Sequence, residues 1–396
     1  MAYESLVLDH PDLLSPLARA EDGLARLDER IDRSSRGEGF LLRRDFADAV
    51  AACWLEGELV HMEDLVLHDG RLDVRSPSHE LTRAHAILRK RRRIAAEPPD
   101  WATAPAGLAL LQAREEGTAP PLPERTAPPD PAAMPADRDD ALAEELAEID
   151  AVLARTNRLL AARDGEGDPA MQAARWPLTP GQARSGAGEA ADFAGDFSGP
   201  GAASIDALIR DGDRDERGLL ADWHARLSAI EGSRLPPVLM AFHAWEAWQA
   251  LQPLERQSWL GNLLVAAFLR KSGKTRHLFS LAAALREIPR EQRMSRKAPA
   301  RCHAFFDALS AGALAGLREI DRLELAAAQF ERRLRGRRKS SRLPRLVELI
   351  LSRPIVSAGM IADELKITQR AALNLIGELG PREITGRGRY RAWAVL

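Results

Sequence analysis

Ser357-Ala358-Gly359-Met360-Ile361-Ala362-Asp363-Glu364-Leu365-Lys366-Ile367-Thr368-Gln369-Arg370-Ala371-Ala372-Leu373-Asn374-Leu375-Ile376-Gly377-Glu378-Leu379 contains two helix starts and one tight turn. Ser357 and Thr368 each stand just before an apolar-periodic run, where a side-chain oxygen accepts one of the free N–H groups of the first helical turn. The first run, Ala358 to Leu365, puts Ile361, Ala362 and Leu365 on one face. After Lys366-Ile367-Thr368, the second run, Gln369 to Leu379, turns Ala371, Ala372, Leu375, Ile376 and Leu379 inward and Gln369, Arg370, Leu373, Asn374 and Gly377 outward. Upstream, Leu346, Val347, Leu349, Ile350 and Leu351 form another apolar helix, closed by Pro354, which cannot donate the next backbone hydrogen bond. The pattern predicts a helix-turn-helix whose recognition set is Thr368, Gln369, Arg370, Leu373 and Asn374. In a major groove Arg pairs with guanine, Gln or Asn with adenine, and Leu touches a thymine methyl. Lys366 departs from the glycine common in such turns, and a left-handed backbone there costs a residue with a side chain roughly 1 kcal/mol, so the turn either bears that cost or is of a slightly different kind. A three-helix packing module with a basic surface has the same periodicity, and only groove-facing geometry separates the two.

Beyond Gly380-Pro381 the period changes to alternation, through Glu383-Ile384-Thr385, Gly386-Arg387-Gly388 and Arg389 to Val395. Two short strands around a Gly-x-Gly turn predict a β-hairpin, with Arg387 at the tip and Arg389 and Arg391 on one edge, which makes the unit a winged helix. Before it, Arg332, Arg333, Arg335, Arg337, Arg338, Lys339, Arg342 and Arg345 crowd together without an acid. From Arg332 onward there are fifteen Lys/Arg against five Asp/Glu, a balance of +10 in a chain of −2, so the remainder carries −12. Such a split fits a protein that holds a polyanion with one end. Arg337, Arg338, Lys339 and Arg342 are therefore expected in a tether to phosphates, and Arg387, Arg389 and Arg391 in the wing contact.

The rest of the 396 residues is mainly α, and 45% hydrophobic content is enough for sizeable cores. Ten prolines fall between Pro98 and Pro135, and the stretch 164–201 is rich in Gly, Ala, Ser and Asp. The expected division is a helical domain at 1–97, a Pro-rich linker at 98–136, a long amphipathic helix at 137–163, a Gly/Ala-rich linker at 164–201, a central helical domain at 202–334, and the basic tether with its winged helix-turn-helix at 335–396. The isolated helix carries Leu142, Leu146, Ile149, Leu153, Thr156 and Leu160 at spacings of four and three. A second helix, from about Ala311 to Arg335, carries Leu317, Ile320, Leu323, Ala327, Phe330 and Leu334. Either seam serves a homodimer or packing inside one chain.

Glu58-Leu59-Val60-His61-Met62-Glu63-Asp64-Leu65-Val66-Leu67-His68-Asp69, then Ser76-Pro77-Ser78-His79-Glu80-Leu81-Thr82-Arg83-Ala84-His85 and the basic run Arg89 to Arg93, resembles an uncharacterised alphaproteobacterial family. That family is often carried on rhizobial plasmids, and it joins a domain of unknown function to a C-terminal helix-turn-helix DNA-binding domain. The resemblance covers most of the chain and implies a DNA-binding protein. In its order of parts the chain is also distantly similar to Fic-type adenylyltransferases, with Ala52-Cys53-Trp54-Leu55-Glu56-Gly57 resembling their Glu-Gly inhibitory segment. The stretch closest to their active motif runs Gln252 to Leu264, and there Gln252 stands in place of the general-base histidine. An amide cannot accept a hydroxyl proton, and the glycines of the anion nest are missing.

Gly273-Lys274-Thr275 imitates the end of a phosphate-binding loop, but Phe268 occupies the required earlier glycine position, so a helix end is the simpler reading. His61, Asp64 and His68 share a helix face, either as ligands or as a solvated surface. Trp54, Trp223, Trp245, Trp248 and Trp259 are expected to fill cores. The run Arg89 to Arg93 reads equally as a second DNA contact or a solvated helix end. Cys53 and Cys302 form neither a disulfide framework nor a ligand pattern. No basic, apolar leader or long apolar span is present in the sequence. The expectation is a cytoplasmic, sequence-specific DNA-binding regulator. Its partners are double-stranded DNA, a second copy of itself, and an effector that is a protein or a small molecule; no membrane, cofactor, metal or catalytic residue is assigned. The alternatives are a Fic-type nucleotidyl transferase with an accessory winged helix, or a plasmid or mobile-element maintenance factor.

Overall fold

The computed structural model describes residues 10–72, 76–113, 215–335, 342–384 and 391–395. The expected helix at 137–163 and the stretch 164–201 lie outside them. The helices are α1 (Leu14–Arg33), α2 (Gly37–Leu55), α3 (Met62–Asp69), α4 (His79–Ala96), α5 (Pro105–Gln112), α6 (Glu216–Glu231), α7 (Pro237–Leu251), α8 (Leu260–Lys271), α9 (Leu281–Arg286), α10 (Arg290–Arg293), α11 (Ala298–Leu334), α12 (Leu343–Ser352), α13 (Ala358–Leu365) and α14 (Gln369–Leu379). The protein is mainly α. Three short strands, β1 (Val356–Ser357), β2 (Arg382–Glu383) and β3 (Ala392–Ala394), make one antiparallel sheet in the order β1-β3-β2. None of these helices is long and apolar enough to cross a membrane.

α11 is the spine. It begins at Ala298, well before the expected Ala311, because Phe305, Phe306 and Leu309 extend its apolar face upstream. Ile320, Leu323, Ala327 and Phe330, from the seam read in the sequence, are buried within the chain, and α1 packs along this helix. Leu17, Ala20, Leu24, Leu27 and Ile31 supply the facing stripe of α1, at spacings of three and four. Apolar side chains from Leu13 to Leu111 and from Leu220 to Phe330 share one hydrophobic core. Trp223 and Trp248 meet edge to face at 5.2 Å within it, donating their indole N–H groups to Ala244 O and Ser258 O at 3.1 and 2.9 Å. Trp245 and Trp259 are buried too, whereas Trp54 is 40% exposed, with the Arg286 guanidinium over its ring instead of core atoms.

Within 98–136 the described residues 98–113 are structured. Pro105 sits in the first turn of α5, where its missing N–H has no partner to lose, and Leu108 and Leu111 are buried. The basic run in α4 is partly interior: Lys90 and Arg91 are buried and Arg92 half-buried, while Arg89 and Arg93 are exposed. Arg91 is 1% exposed and donates to Asp45 (2.8 Å), Asp48 (2.7 Å), Leu278 O (2.8 Å), Phe279 O (3.2 Å) and Ser280 (3.2 Å). Lys90, also buried, reaches Leu111 O at 2.5 Å and Gln257 at 2.8 Å. Arg92 chelates Asp69 at 2.7 and 3.1 Å. Buried cations demand such partners because leaving water otherwise costs several kcal/mol, on the order expected for an unpaired ion.

In the stretch compared with the adenylyltransferase motif, Gln252 is exposed and caps α7 in a left-handed conformation, Gln257 donates to Gln112 O, Ser258 donates to Glu56, and Trp259 to Leu264 are buried in the core. Gly273 ends α8 with a positive φ, and Lys274 pairs with Glu21 at 2.5 Å, so this segment is a helix end. His68 meets His85 edge-on at 4.7 Å, and among the described residues no group of three or more His, Cys, Asp or Glu side chains is placed to hold a metal ion. Cys53 and Cys302 are buried free thiols, and burial pushes Cys53 up to about 12, away from thiolate chemistry.

Candidate nucleic-acid interface

The helix-turn-helix forms where the local signals place it. Ser357 Oγ accepts from Met360 N at 3.2 Å to start α13, and Thr368 Oγ1 accepts from Ala371 N at 3.2 Å to start α14. Lys366 does adopt the left-handed conformation, φ 52° and ψ 56°, with Ile367 N bonded back to Ala362 O at 3.0 Å. Ala372, Ile376 and Leu379 are buried, while Thr368, Gln369, Arg370, Leu373 and Asn374 are exposed together on α14. Leu373 is 40% exposed, an apolar side chain held in solvent between two polar ones. The expected base-reading residues thus share one outward face.

The basic residues divide differently. Arg391 is bidentate to Glu383 across the β2-β3 pair, at 3.0 and 2.7 Å, and its guanidinium lies 5.3 Å from the Trp393 ring. The hydrogen bond from Arg391 holds the Glu383 carboxyl below its usual range. Arg342 donates to Leu365 O and, at 2.9 Å, to Lys366 O. Arg337, Arg338, Lys339, Arg387 and Arg389 lie outside the described residues. Sequence reading assigned no separate role to Arg333, which donates to Leu379 O at 2.5 Å and Gly380 O at 3.0 Å. It also missed β1, a two-residue strand too short to show alternation.

The body grips this unit. Arg43 of α2, a largely buried side chain, donates to Glu319 of α11 (3.1 Å), to Arg353 O (2.5 Å) and to Val395 O (3.2 Å). Arg353 reaches back to Asp69 at 3.3 Å and lies 5.9 Å from the Phe46 ring. Gly39 admits the end of α12: a Cβ there would stand 3.3 Å from Ser352 Cα. Arg36 adds Glu348 at 2.6 Å.

Residues 343–396 match a family model described as "HTH DNA binding domain", and residues 208–335 match one described as "Protein of unknown function (DUF1612)". Over 411 aligned positions, spanning 100% of both chains, the sequence is 40% identical to "Uncharacterized protein y4cF" of Sinorhizobium fredii (strain NBRC 101917 / NGR234).

Proposed function

Because the chain belongs to the family that joins a DUF1612 region to a C-terminal helix-turn-helix DNA-binding domain, we propose that it is a sequence-specific DNA-binding regulator acting as a homodimer. The observation that carries this is the outward face of α14. Gln369, Arg370 and Asn374 are exposed beside Leu373, and their side chains are engaged in no hydrogen bond or ion pair among the described residues. These side chains suit base edges and a thymine methyl in a major groove. The β2-β3 pair belongs to the wing, to which Arg387 and Arg389 are assigned as DNA contacts while Arg391 is engaged by Glu383, and Arg337, Arg338 and Lys339 supply phosphate contacts from the tether.

The dimer reading rests on the 142–160 seam, since the α11 seam is used inside the chain. Two recognition helices on half-sites about one helical turn apart then add avidity without new contact types. The helical body is the part that receives an effector, a protein or a small molecule.

Immunoprecipitation of the protein with its bound DNA is the direct test. Sharp peaks at promoters support the regulator; a single plasmid locus turns the reading toward plasmid maintenance; absence of peaks with a correctly folded protein sinks it. Light scattering that finds a monomer at every concentration, with and without DNA, removes the dimer.

A further inference from the structure

Arg333 and Arg342 flank the segment 336–341, and both guanidinium groups are turned onto backbone carbonyls of the helix-turn-helix. Arg333, on the last turn of α11, donates Nη1 to Leu379 O (2.5 Å) and Gly380 O (3.0 Å), and its guanidinium lies 6.0 Å from the Phe330 ring. Arg342, which precedes α12, donates Nη1 to Leu365 O and to Lys366 O (2.9 Å). The acceptors mark the two ends of the recognition element. Leu365-Lys366 is where α13 stops and the turn begins; Leu379-Gly380 is where α14 stops and the chain leaves for β2.

The last carbonyls of a helix lack intrahelical donors and carry the negative end of its dipole, so a cation that also donates satisfies both. Both acceptor pairs include a left-handed residue. Lys366 has φ 52° and Gly380 φ 63°, and a Cβ on Gly380 would stand 3.1 Å from Arg333 Nη1. At Lys366 the side chain makes that conformation unfavourable, and the Arg342 bond to its own carbonyl opposes relaxation. α11 in turn is fixed in the body core, so the end of α14 is tied directly to the core helix.

We propose that Arg333 and Arg342 are positioning residues for DNA recognition, Arg333 setting the end of α14 against the body helix α11 and Arg342 setting the turn that leads into α14 against the start of α12, and are not phosphate ligands of a tether. This rests on the DNA-binding reading above. A phosphate ligand and a positioning clamp differ in one measurable respect. The first releases counterions when DNA binds and the second does not, so only the first contributes about 0.9 to the slope of log affinity against log salt.

Full-length R333A, R333K and R342A proteins are compared with the unaltered chain on a preferred duplex and on random duplex over a salt series. Loss of a charge-assisted clamp should lower the ratio of specific to random affinity by about tenfold or more in R333A and R342A. The salt slope should stay unchanged, and R333K should regain part of the ratio. A slope lower by nearly one unit with an unchanged ratio overturns the proposal. Amide hydrogen exchange on the free proteins supplies a second decision that needs no DNA. Exchange should quicken in the last turn of α14 in R333A and around Leu365 to Ile367 in R342A, with the melting of the body unaltered. Unchanged exchange at both places overturns the clamp. If the unaltered chain binds no DNA, the functional reading fails and the exchange result alone decides the clamp.

Discussion

Five consecutive basic residues cross the body in α4, from Arg89 to Arg93, and a second basic cluster runs from Arg332 to Arg345 beside the helix-turn-helix. In the first, Lys90 and Arg91 are buried; in the second, every described arginine is exposed. Composition does not distinguish them. What differs is the supply of carboxylates brought by the fold: Asp45 and Asp48 from α2 meet Arg91, and Asp69 from α3 meets Arg92. The second cluster is met chiefly by carbonyl oxygens at helix ends. A run of positive charge therefore says nothing about a polyanion until its partners are known, and the informative residues are acids far away in sequence.

The most damaging way to test this contrast is to remove Arg91. In an R91M protein Asp45 and Asp48 are left facing each other in the interior, and breaking a buried pair in this way costs about 3–5 kcal/mol. Urea unfolding followed by circular dichroism should show that loss, and Arg91→Met combined with Asp45→Asn and Asp48→Asn should recover part of it. A cost below about 1 kcal/mol, within the range of an exposed ion pair, would mean that Arg91 is solvated like the other run.

Asp69 is where the two regions meet, because it accepts from both Arg92 of the first run and Arg353 at the end of α12. Burial alone would raise its carboxyl. Hydrogen bonds from His85 and Arg92, with the charges of Arg92 and Arg353, outweigh that and hold it well below the ordinary value near 3.8. A group depressed in the folded state contributes stability above its unfolded pKa and loses it as pH falls toward the folded value. Stability should therefore decline below about pH 4, and D69N should be less stable at neutral pH by about 1.5–3 kcal/mol, the range for hydrogen bonds to charged groups. The difference between D69N and the unaltered protein should shrink on acidification. Asp28, also held low by His277 and Arg276 despite its burial, keeps part of the acid limb in both proteins. A gap that stays constant from pH 7 to pH 3 would refute the Asp69 account.

The helix-turn-helix was legible because its signals are local. Ser357 and Thr368 cap within three residues, and the inward set Ala372, Ile376, Leu379 follows a 3.6 period. The carboxylate partners of Arg91 lie 43 and 46 residues away, and the partners of Arg333 are 46 and 47 away and are main-chain atoms, which look alike in any sequence. Lys366 shows the middle case. Its left-handed conformation is one of two turns the sequence leaves open, and the Arg342 bond to its carbonyl cannot be read there at all. The same distance rule explains why Pro105 read as linker: its helix is anchored by Leu108 and Leu111 in a core built from elements elsewhere in the chain.

On the α14 face the contrast becomes one of DNA sequence. R370A or N374A should weaken binding to the preferred site by about 1–3 kcal/mol and leave random DNA nearly unaffected, as expected when hydrogen bonds to base edges are removed. Mobility-shift titrations against both duplexes give the ratio directly. If both substitutions leave it unchanged, α14 does not lie in the groove as proposed, and Leu373, exposed between them, loses its assignment to a thymine methyl.

The smallest expected effect on folding separates the two basic regions most cleanly. Arg337→Gln, Arg338→Gln and Lys339→Gln together should change stability by no more than about 0.5 kcal/mol, as for surface substitutions that break no buried network. They should nevertheless weaken preferred and random DNA alike, lowering the salt slope by up to about 0.9 for each phosphate that is no longer neutralised. This is the reverse of R91M, which should destabilise the fold while leaving the salt slope of the folded fraction intact, and it differs from R333A, for which the ratio should move and the slope should not. Arg387 belongs with the tether if its replacement also acts equally on both duplexes; a loss confined to sites with A·T-rich flanks would instead place it in a narrow minor groove. An unaltered slope in the triple variant would leave the second cluster with no demonstrated hold on phosphate. Its eight basic residues would then be a solvated surface, and the contrast between the two runs would reduce to burial alone.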